Sequence, residues 1–179
     1  IWERRNPEIP VKSPDQLVTL ASIIEKETSK ADERSRVAAV FVNRLRQKMK
    51  LQSDPTIIYG LVGGKGTLGR PIRRSEITQP SPYNTYVIEG LPPGPIANPG
   101  RASLEAAANP ARTRDLFFVA DGTGGHTFTD GTKAAIEMAA VAFPDPLAGA
   151  NASGSFSIEG RPESNRSERP RANLAGISP

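Results

Sequence analysis

The chain has no cysteine and a single histidine among its 179 residues. Disulfide bonds and thiolate metal sites are therefore excluded, and one histidine without a paired partner makes a poor metal site. We accordingly expect no metal and no other cofactor. The sequence also lacks any run near the roughly 20 apolar residues that a membrane-spanning helix requires, so we expect no membrane span within it.

A strong charge of one sign is lacking as well. The chain carries 23 Lys and Arg residues against 19 Asp and Glu residues, a formal net charge of +4. The charged residues that follow Pro144 cancel one another, so the surplus belongs to the part before them. An anionic polymer is a reasonable partner, but this surplus is weak evidence for nucleic acid, and we expect no nucleic-acid partner.

Large apolar residues become scarce after Phe143, where Gly, Ser, Asn, Pro and Arg dominate. Such a segment cannot bury enough surface to offset its ordering entropy. We therefore predict a folded domain over residues 1–143 and a disordered tail over residues 144–179, in which only residues 155–158 alternate like a strand that could dock at an edge. Because the chain begins at Ile1 and not at Met, we expect it to be a piece of a longer protein.

The most informative segment is a helix that carries two carboxylates in an apolar setting. Ser13 is a suitable N-cap and Pro14 suits the first helical position. At roughly 100° per residue, one side of this helix forms an apolar arc. The residues of the arc are Leu17, Leu20, Ala21, Ile24 and Thr28, with Val18 and Ile23 at its two borders. Glu25 and Glu27 both fall within these borders, while Lys26 points to solvent. A carboxyl group held against apolar surface resists ionisation, as a general acid must. The alternative is that each glutamate merely edges a buried helix and reaches out to water.

The remaining elements alternate in type. Helical spacing and capping residues predict further helices over residues 32–49, 54–61, 101–108 and 132–141. Short apolar runs predict strands over residues 86–88, 116–120 and 127–129, the last two joined as a hairpin by a turn over residues 121–125. The sum predicts an α+β domain with several helices around a small, mainly antiparallel sheet.

Several ordered blocks of sequence carry a resemblance to a known family. They are LASIIEKET at 20–28, VFVNRL at 40–45, LQSDPT at 51–56 with YG at 59–60, YNTY at 83–86, GLPPGPI at 90–96 with NPG at 98–100, and FFVA at 117–120 with GGHTF at 124–128. These blocks resemble, in order, the catalytic domain of the endolytic murein transglycosylases, the MltG or YceG-like family. The similarity covers roughly residues 11–135.

The resemblance implies a lyase of the bacterial cell envelope that acts in cell-wall assembly. Such an enzyme cuts peptidoglycan glycan strands internally, between N-acetylmuramic acid and N-acetylglucosamine, without using water. The family pattern also implies an inner-membrane anchor and a small LysM-like module upstream of Ile1, with this domain on the periplasmic or outer side. Penicillin-binding proteins, which synthesise peptidoglycan, are the protein partners to consider.

The expected chemistry needs one protein carboxyl group. Ordinary glycoside hydrolysis uses two, whereas in a lytic transglycosylase the C6 hydroxyl of the sugar attacks the anomeric carbon and leaves a 1,6-anhydro end. The single carboxyl first donates a proton and then accepts one. By resemblance this role falls to Glu25, whose pKa we expect the apolar arc to raise. Glu27 lies roughly 160° away around the helix, so we expect it to be structural or to orient a cleft residue.

Other polar residues of these blocks are predicted to line the sugar cleft, because aromatic faces stack on pyranose rings while amides and hydroxyls bond sugar groups. They are Glu27, Asn43, Gln52, Ser53, Asp54, Tyr83, Asn84, Thr85, Tyr86, Asn98, His126 and Thr127. Helix capping is an alternative role for Asp54, and core packing is one for Tyr86. The Pro and Gly run over residues 91–100 is predicted to form a rigid cleft wall.

Three alternatives stay open at this point. A hydrolase would need a second carboxylate opposite Glu25, for which Glu27, Asp54 and Asp121 are the candidates. A non-catalytic peptidoglycan-binding module would tolerate the loss of Glu25. A nucleic-acid binder would place a set of basic residues on the solvent face of one helix, namely Arg34, Arg36, Arg44, Arg46, Lys48 and Lys50.

Overall fold

A computed structural model of the chain describes residues 1–142. A single 3-10 turn, Trp2–Arg4, precedes the regular elements. These are α1 (Pro14–Glu27), α2 (Arg34–Arg46), α3 (Asp54–Val62), α4 (Arg74–Ile77), α5 (Arg101–Ala108), β1 (Phe117–Ala120), β2 (His126–Thr129) and α6 (Thr132–Ala142). The predicted α+β class is confirmed. The predicted tail over residues 144–179, with its candidate strand, lies outside the described residues.

The main core forms where α1 packs against α5 and α2. Leu20 and Ile24 of α1 and Val37 and Phe41 of α2 have no exposed surface. The spacing of four residues within each pair places both side chains on one apolar face of the helix, and burial of these faces is the chief force that holds the helices together. No helix within residues 1–142 is both long enough and apolar enough to cross a membrane.

The predicted hairpin is confirmed. Strands β1 and β2 pair antiparallel, with Phe118 opposite Phe128. The carboxylate of Asp121 closes the turn, because Oδ1 accepts the N–H groups of Thr123 at 2.8 Å and Gly125 at 3.1 Å. The ring of Phe118 meets that of Phe41 edge to face, with 5.8 Å between centroids, so the hairpin is anchored to α2.

Helix α2 is shorter than predicted at both ends. It begins at Arg34 and ends at Arg46, whereas the periodicity predicted residues 32–49. The chain turns at Lys48, whose φ is 57°, and the N–H of Met49 bonds back to the carbonyl of Arg44. A residue with left-handed backbone geometry cannot continue an α-helix. Met49 therefore lies after the helix, in the turn, although its spacing from Leu45 suits a helix.

The strand predicted over residues 86–88 is wrong. These residues form turns, and the N–H groups of Val87 and Ile88 both bond to the carbonyl of Asn84 at 3.0 Å. Donors used within a turn are not available to a strand ladder. The segment therefore holds a loop beside α3, and the two-stranded hairpin is the sheet found within residues 1–142.

Candidate active site

Glu25 lies in the last turn of α1, where it is partly exposed and faces the start of α5. Its Oε2 atom accepts a hydrogen bond from the hydroxyl of Ser103 at 2.5 Å and another from the N–H of Gly100 at 3.1 Å. Gly100 is the N-cap residue of α5, where backbone N–H groups lack partners within the helix. The carboxylate of α1 therefore serves as an acceptor at the N-terminus of α5.

These contacts lower the pKa of Glu25, contrary to the expectation from the apolar arc. The hydrogen bond from Ser103 is the largest cause, burial opposes it, and the N–H of Gly100 and the charges of Arg34 and Lys26 add to the lowering. Each of the lowering contacts favours the charged carboxylate. The expected rise in the pKa of Glu25 was wrong because it followed from the apolar residues of α1 alone. The neighbours that α5 brings to Glu25, Ser103 and Gly100, are hydrogen-bond donors.

Glu27 is the carboxyl group that burial does affect strongly. It is only 7% exposed, and its Oε1 accepts the hydroxyl of Ser53 at 2.5 Å. Burial raises the pKa of Glu27 to about 8, against the lowering effect of the Ser53 hydrogen bond and with a further rise from the charge of Asp54. The group lies inside the protein, so direct contact with a sugar is not open to it in this structure, and it supports Ser53 instead.

Ser53 and Thr85 are also internal. Both are fully buried, and the N–H of Ser53 donates to Oγ1 of Thr85 at 2.9 Å. Oγ1 of Thr85 also lies 2.8 Å from Oγ1 of Thr56. This burial corrects the prediction that Ser53 and Thr85 bind sugar directly. Their role in the structure is to join the start of α3 to the loop around residue 85.

Asn84 is likewise a structural residue, since it is only 2% exposed. Its Nδ2 donates to the carbonyls of Ile77 and Gln79, both at 2.9 Å, and its Oδ1 accepts the N–H of Tyr86 at 3.0 Å. With donors and acceptor used in this way, the amide organises the loop from α4 onward. The prediction that Asn84 contacts an N-acetyl group is therefore corrected.

Asp54 and Tyr86 form a pair. The hydroxyl of Tyr86 donates to Oδ1 of Asp54 at 2.6 Å. Burial, with the nearby Asp54 charge, raises the pKa of Tyr86 well above its usual value. The N-cap position of α3 belongs to Ser53, so Asp54 is the first helical residue and not the cap that its position before Pro55 suggested.

Arg44 and Gln52 complete this internal region. Arg44 is fully buried, and its guanidinium donates to the carbonyls of Leu116 at 2.7 Å, Leu51 at 3.0 Å and Lys50 at 3.1 Å. Its burial removes it from the solvent-facing basic stripe that a nucleic-acid binder would need. Gln52 has a left-handed backbone with φ of 52°, and its side-chain oxygen accepts a long bond of 3.4 Å from Arg44.

The loop over residues 91–100 runs beside Glu25 and is fixed to α1 at two points. The N–H of Ile96 donates to the hydroxyl of Ser22 on α1 at 3.0 Å, and Gly100 bonds to Glu25. Asn98 is exposed between these two anchors. Tyr83 is partly exposed, and its ring contacts that of Tyr59 at a tilt of 54° with 4.7 Å between centroids. Its hydroxyl lies close to Gly94 of the same loop.

Asn43 and Thr127 lie in other surroundings. Asn43 donates to the carbonyls of Thr113 at 2.9 Å and Asp115 at 3.0 Å, beside a cavity of about 810 Å³. Thr127 is exposed on β2 and lines a cavity of about 450 Å³ between the hairpin and α6. Glu25 lines neither cavity, so the structure does not bring these two residues to it.

His126 connects the hairpin to the start of α2. Its Nδ1 lies 2.8 Å from Oε2 of Glu33, and its backbone N–H donates to Oε1 of the same carboxylate at 2.9 Å. Glu33 directly precedes Arg34, whose charge acts on Glu25. His126 therefore has a hydrogen-bonding role, and its partner is Glu33 and not Glu25.

Ser103, Gly100 and Arg34 were missed as site residues by sequence reasoning. A weak signal was present, because Pro99-Gly100 directly precedes a helix and the first turn of a helix offers free N–H groups. Nothing in the sequence indicated which side chain would accept them. Within the part of the chain that the structure describes, no group of three or more His, Cys, Asp or Glu residues could hold a metal ion.

Comparison with known proteins gives consistent matches. A model of the YceG-like family matches residues 2–138. The chain is 44% identical over 117 residues to an endolytic murein transglycosylase of Bacillus subtilis (strain 168), covering 65% of this chain and 31% of that protein. It is 39% identical over 119 residues to an endolytic murein transglycosylase of Streptococcus pneumoniae serotype 2, covering 64% of this chain and 21% of that protein.

A solved structure is also similar. A YceG-like protein from Listeria monocytogenes matches with a TM-score of 0.64 and 39% sequence identity, covering 69% of this chain and 39% of that one. The chain thus spans between about a fifth and two fifths of the proteins it resembles.

Proposed function

Because this chain belongs to the YceG-like family, we propose that it carries the catalytic domain of an endolytic murein transglycosylase, a lyase that cuts peptidoglycan glycan strands. The observation that carries this proposal is the setting of Glu25. It is a partly exposed carboxylate, held by donors from another helix, beside a Pro and Gly loop with an exposed amide at Asn98.

The proposed reaction uses Glu25 twice. Glu25 first donates a proton to the oxygen that bridges N-acetylmuramic acid and N-acetylglucosamine, and the bond from the anomeric carbon to that oxygen breaks. The C6 hydroxyl of the same muramic acid then attacks the anomeric carbon and gives its proton to Glu25. The products are a 1,6-anhydro end and a free N-acetylglucosamine hydroxyl, and Glu25 is again protonated.

The lowered pKa of Glu25 in the free protein makes substrate binding part of this mechanism. At neutral pH the free carboxylate is charged, which suits the base step but not the acid step. A glycan strand that covers the exposed side of Glu25 removes water from it, and loss of water favours the neutral form. The acid is therefore produced in the complex with substrate.

The surroundings of the other carboxylates favour a one-carboxyl mechanism over hydrolysis. Glu27 is buried under Ser53, Asp54 bonds to Tyr86, and Asp121 closes the hairpin turn. A hydrolase needs a second carboxylate across the scissile bond from the acid. Each of the three candidates has a structural partner of its own, which supports the transglycosylase.

The proposal extends to the location and partners of the longer protein. We propose that an anchor outside this chain holds the domain at the outer face of the inner membrane, where it acts with penicillin-binding proteins in cell-wall assembly. The support is the family resemblance alone. Protease treatment of spheroplasts tests the location, because a domain on the outer face is digested while cytoplasmic proteins survive.

The test of activity is mass spectrometry of purified glycan strands after digestion by the chain and by Glu25→Gln. Gln keeps the volume but has no proton to transfer, so cleavage should fall by roughly 100-fold or more. Glu105→Gln is the matched control, since Glu105 is an exposed glutamate paired with Arg101 on α5, and it should cleave normally.

The products distinguish the alternatives. Anhydro ends support the proposal, whereas reducing ends that incorporate water would indicate a hydrolase. Strand binding without cleavage by the unmodified chain would indicate a binding module. Glu27→Gln should retain more activity than Glu25→Gln, and the reverse order would move the acid role to Glu27.

A further inference from the structure

The two oxygens of Glu25 have different surroundings. Oε2 accepts both hydrogen bonds that reach this carboxylate from residues 1–142, one from Ser103 at 2.5 Å and one from Gly100 at 3.1 Å. No residue in that range donates to Oε1. One oxygen is therefore fixed by the protein, and the other remains available to a group from outside.

Ser103 is well placed to fix an orientation. It is fully buried at the third position of α5, and the 2.5 Å length is that of a hydroxyl bonded to a charged carboxylate. Helices α1 and α5 share the most extensive contact between any two elements of the described chain, so the hydroxyl cannot move far relative to Glu25. The N–H of Gly100 approaches the same oxygen from the helix terminus.

We propose that Ser103 is a positioning residue, which holds Oε2 of Glu25 and leaves Oε1 as the atom that exchanges the proton with the substrate. This inference rests on the proposed function. Oε1 gives its proton to the bridging oxygen and receives the proton of the C6 hydroxyl, while Oε2 keeps its two donors throughout. Ser103 itself does not touch the reacting atoms.

The groups that lower the pKa of Glu25 determine how the loss of Ser103 should change that pKa. Arg34 approaches from α2 and Lys26 from α1, and both favour the charged carboxylate, as do Ser103 and Gly100 from α5. Among these, the hydroxyl has the largest effect. Its removal should therefore raise the pKa of Glu25 and free the carboxylate to rotate.

The test compares Ser103→Ala with Ser22→Ala in the full chain. Ser22 is a matched control because it is also a fully buried serine whose hydroxyl bonds α1 to another segment. Its partners are the N–H of Ile96, in the loop before α5, and the carbonyl of Thr19. Two quantities are measured for each protein. One is the titration of the Glu25 side chain by carbon NMR, and the other is kcat and KM on glycan strands as functions of pH.

In Ser103→Ala the titration midpoint of Glu25 should move to higher pH, and the alkaline limb of kcat/KM should move with it. Misplacement of the carboxyl should lower kcat by roughly 10- to 100-fold with little change in KM. Ser22→Ala should leave the Glu25 midpoint unchanged. If Ser103→Ala does not fold, Ser103→Cys keeps the volume with a weaker donor and should shift both quantities in the same directions.

An unchanged midpoint in Ser103→Ala would overturn the inference. So would a shifted midpoint with normal kcat, because Ser103 would then affect the charge of Glu25 without positioning it. A failure of the unmodified chain to cleave strands would overturn the proposed function instead. The NMR titration needs no activity, and it would then decide by itself whether Ser103 holds the carboxylate.

Discussion

Replacement of Glu27 by Gln is expected to change how the stability of the fold depends on pH. Glu27 is 7% exposed in the folded protein, and burial raises its pKa from 4.5 to about 8. Below the unfolded value the group is protonated in both states, so it carries no penalty. As the pH rises, the unfolded chain loses this proton and is stabilised while the folded chain keeps it, so stability falls until the folded pKa is passed.

The size of the effect follows from the two pKa values. Each unit of difference corresponds to about 1.4 kcal/mol. Between an unfolded value of 4.5 and neutral pH, the unfolded state therefore gains about 3 kcal/mol relative to the folded state. Gln keeps the volume and an acceptor for the hydroxyl of Ser53 but cannot ionise. The free energy of unfolding of Glu27→Gln, relative to that of the unmodified chain, should therefore rise by about 3 kcal/mol from about pH 4 to pH 7.

Urea unfolding of both proteins at a series of pH values measures this difference, because urea carries no charge. Glu25→Gln is the control with the opposite sign. The pKa of Glu25 is lowered in the folded state, so that carboxylate contributes stability above its unfolded pKa and the contribution is lost as the pH falls. A difference between Glu27→Gln and the unmodified chain that is flat, or that shrinks as the pH rises, would refute the reasoning.

Three further predictions concern the core, the buried guanidinium and metal ions. Phe118→Ala should lower the free energy of unfolding by about 3–5 kcal/mol, because the ring is fully buried against Phe41. The control, Ile136→Ala, should lower it far less because Ile136 is 43% exposed. Equal losses in the two variants would contradict the packing described. Arg44→Met should lower the free energy of unfolding, measured in urea, by at least about 2 kcal/mol, because the carbonyls of Leu116, Lys50 and Leu51 lose their donor. An unchanged urea midpoint would contradict this structural role of Arg44. Strand cleavage should survive EDTA, since a chain without cysteine and with one histidine lacks the usual ligands for a tightly held metal; loss of activity that returns with zinc or magnesium would show the opposite.

Local features of the fold could be predicted from the sequence. Ser13 caps α1 by accepting the N–H of Gln16, and Asp121 closes the hairpin turn with bonds to Thr123 and Gly125. Both features depend on residues within four positions of each other, so the chemistry is present in any short window of the chain. The ends of the elements were less certain, and α2 stops at Arg46 because the backbone turns at Lys48.

The segment over residues 86–88 shows why local pattern was insufficient. Its aromatic and β-branched residues suit a strand, but a strand needs a partner, and no neighbouring strand is available to it within residues 1–142. Asn84 organises a turn there instead, because its carbonyl accepts the N–H groups of Val87 and Ile88 and its Oδ1 accepts that of Tyr86. The predicted contact of Asn84 with sugar fails because its side-chain amide bonds to groups of its own loop.

The sequence by itself determined that two carboxylates lie at the end of α1 within a chain that has no thiolate chemistry. Only the tertiary structure decided which carboxylate is accessible. Ser103, 78 residues from Glu25, brings a hydroxyl to one of them, while Ser53, 26 residues from Glu27, covers the other. The pKa of a carboxyl group depends on the water and the hydrogen-bond donors around it. Contacts between distant segments of the chain exclude the water and supply the donors. Helical periodicity alone could therefore place Glu25 and Glu27 but could not assign their charges.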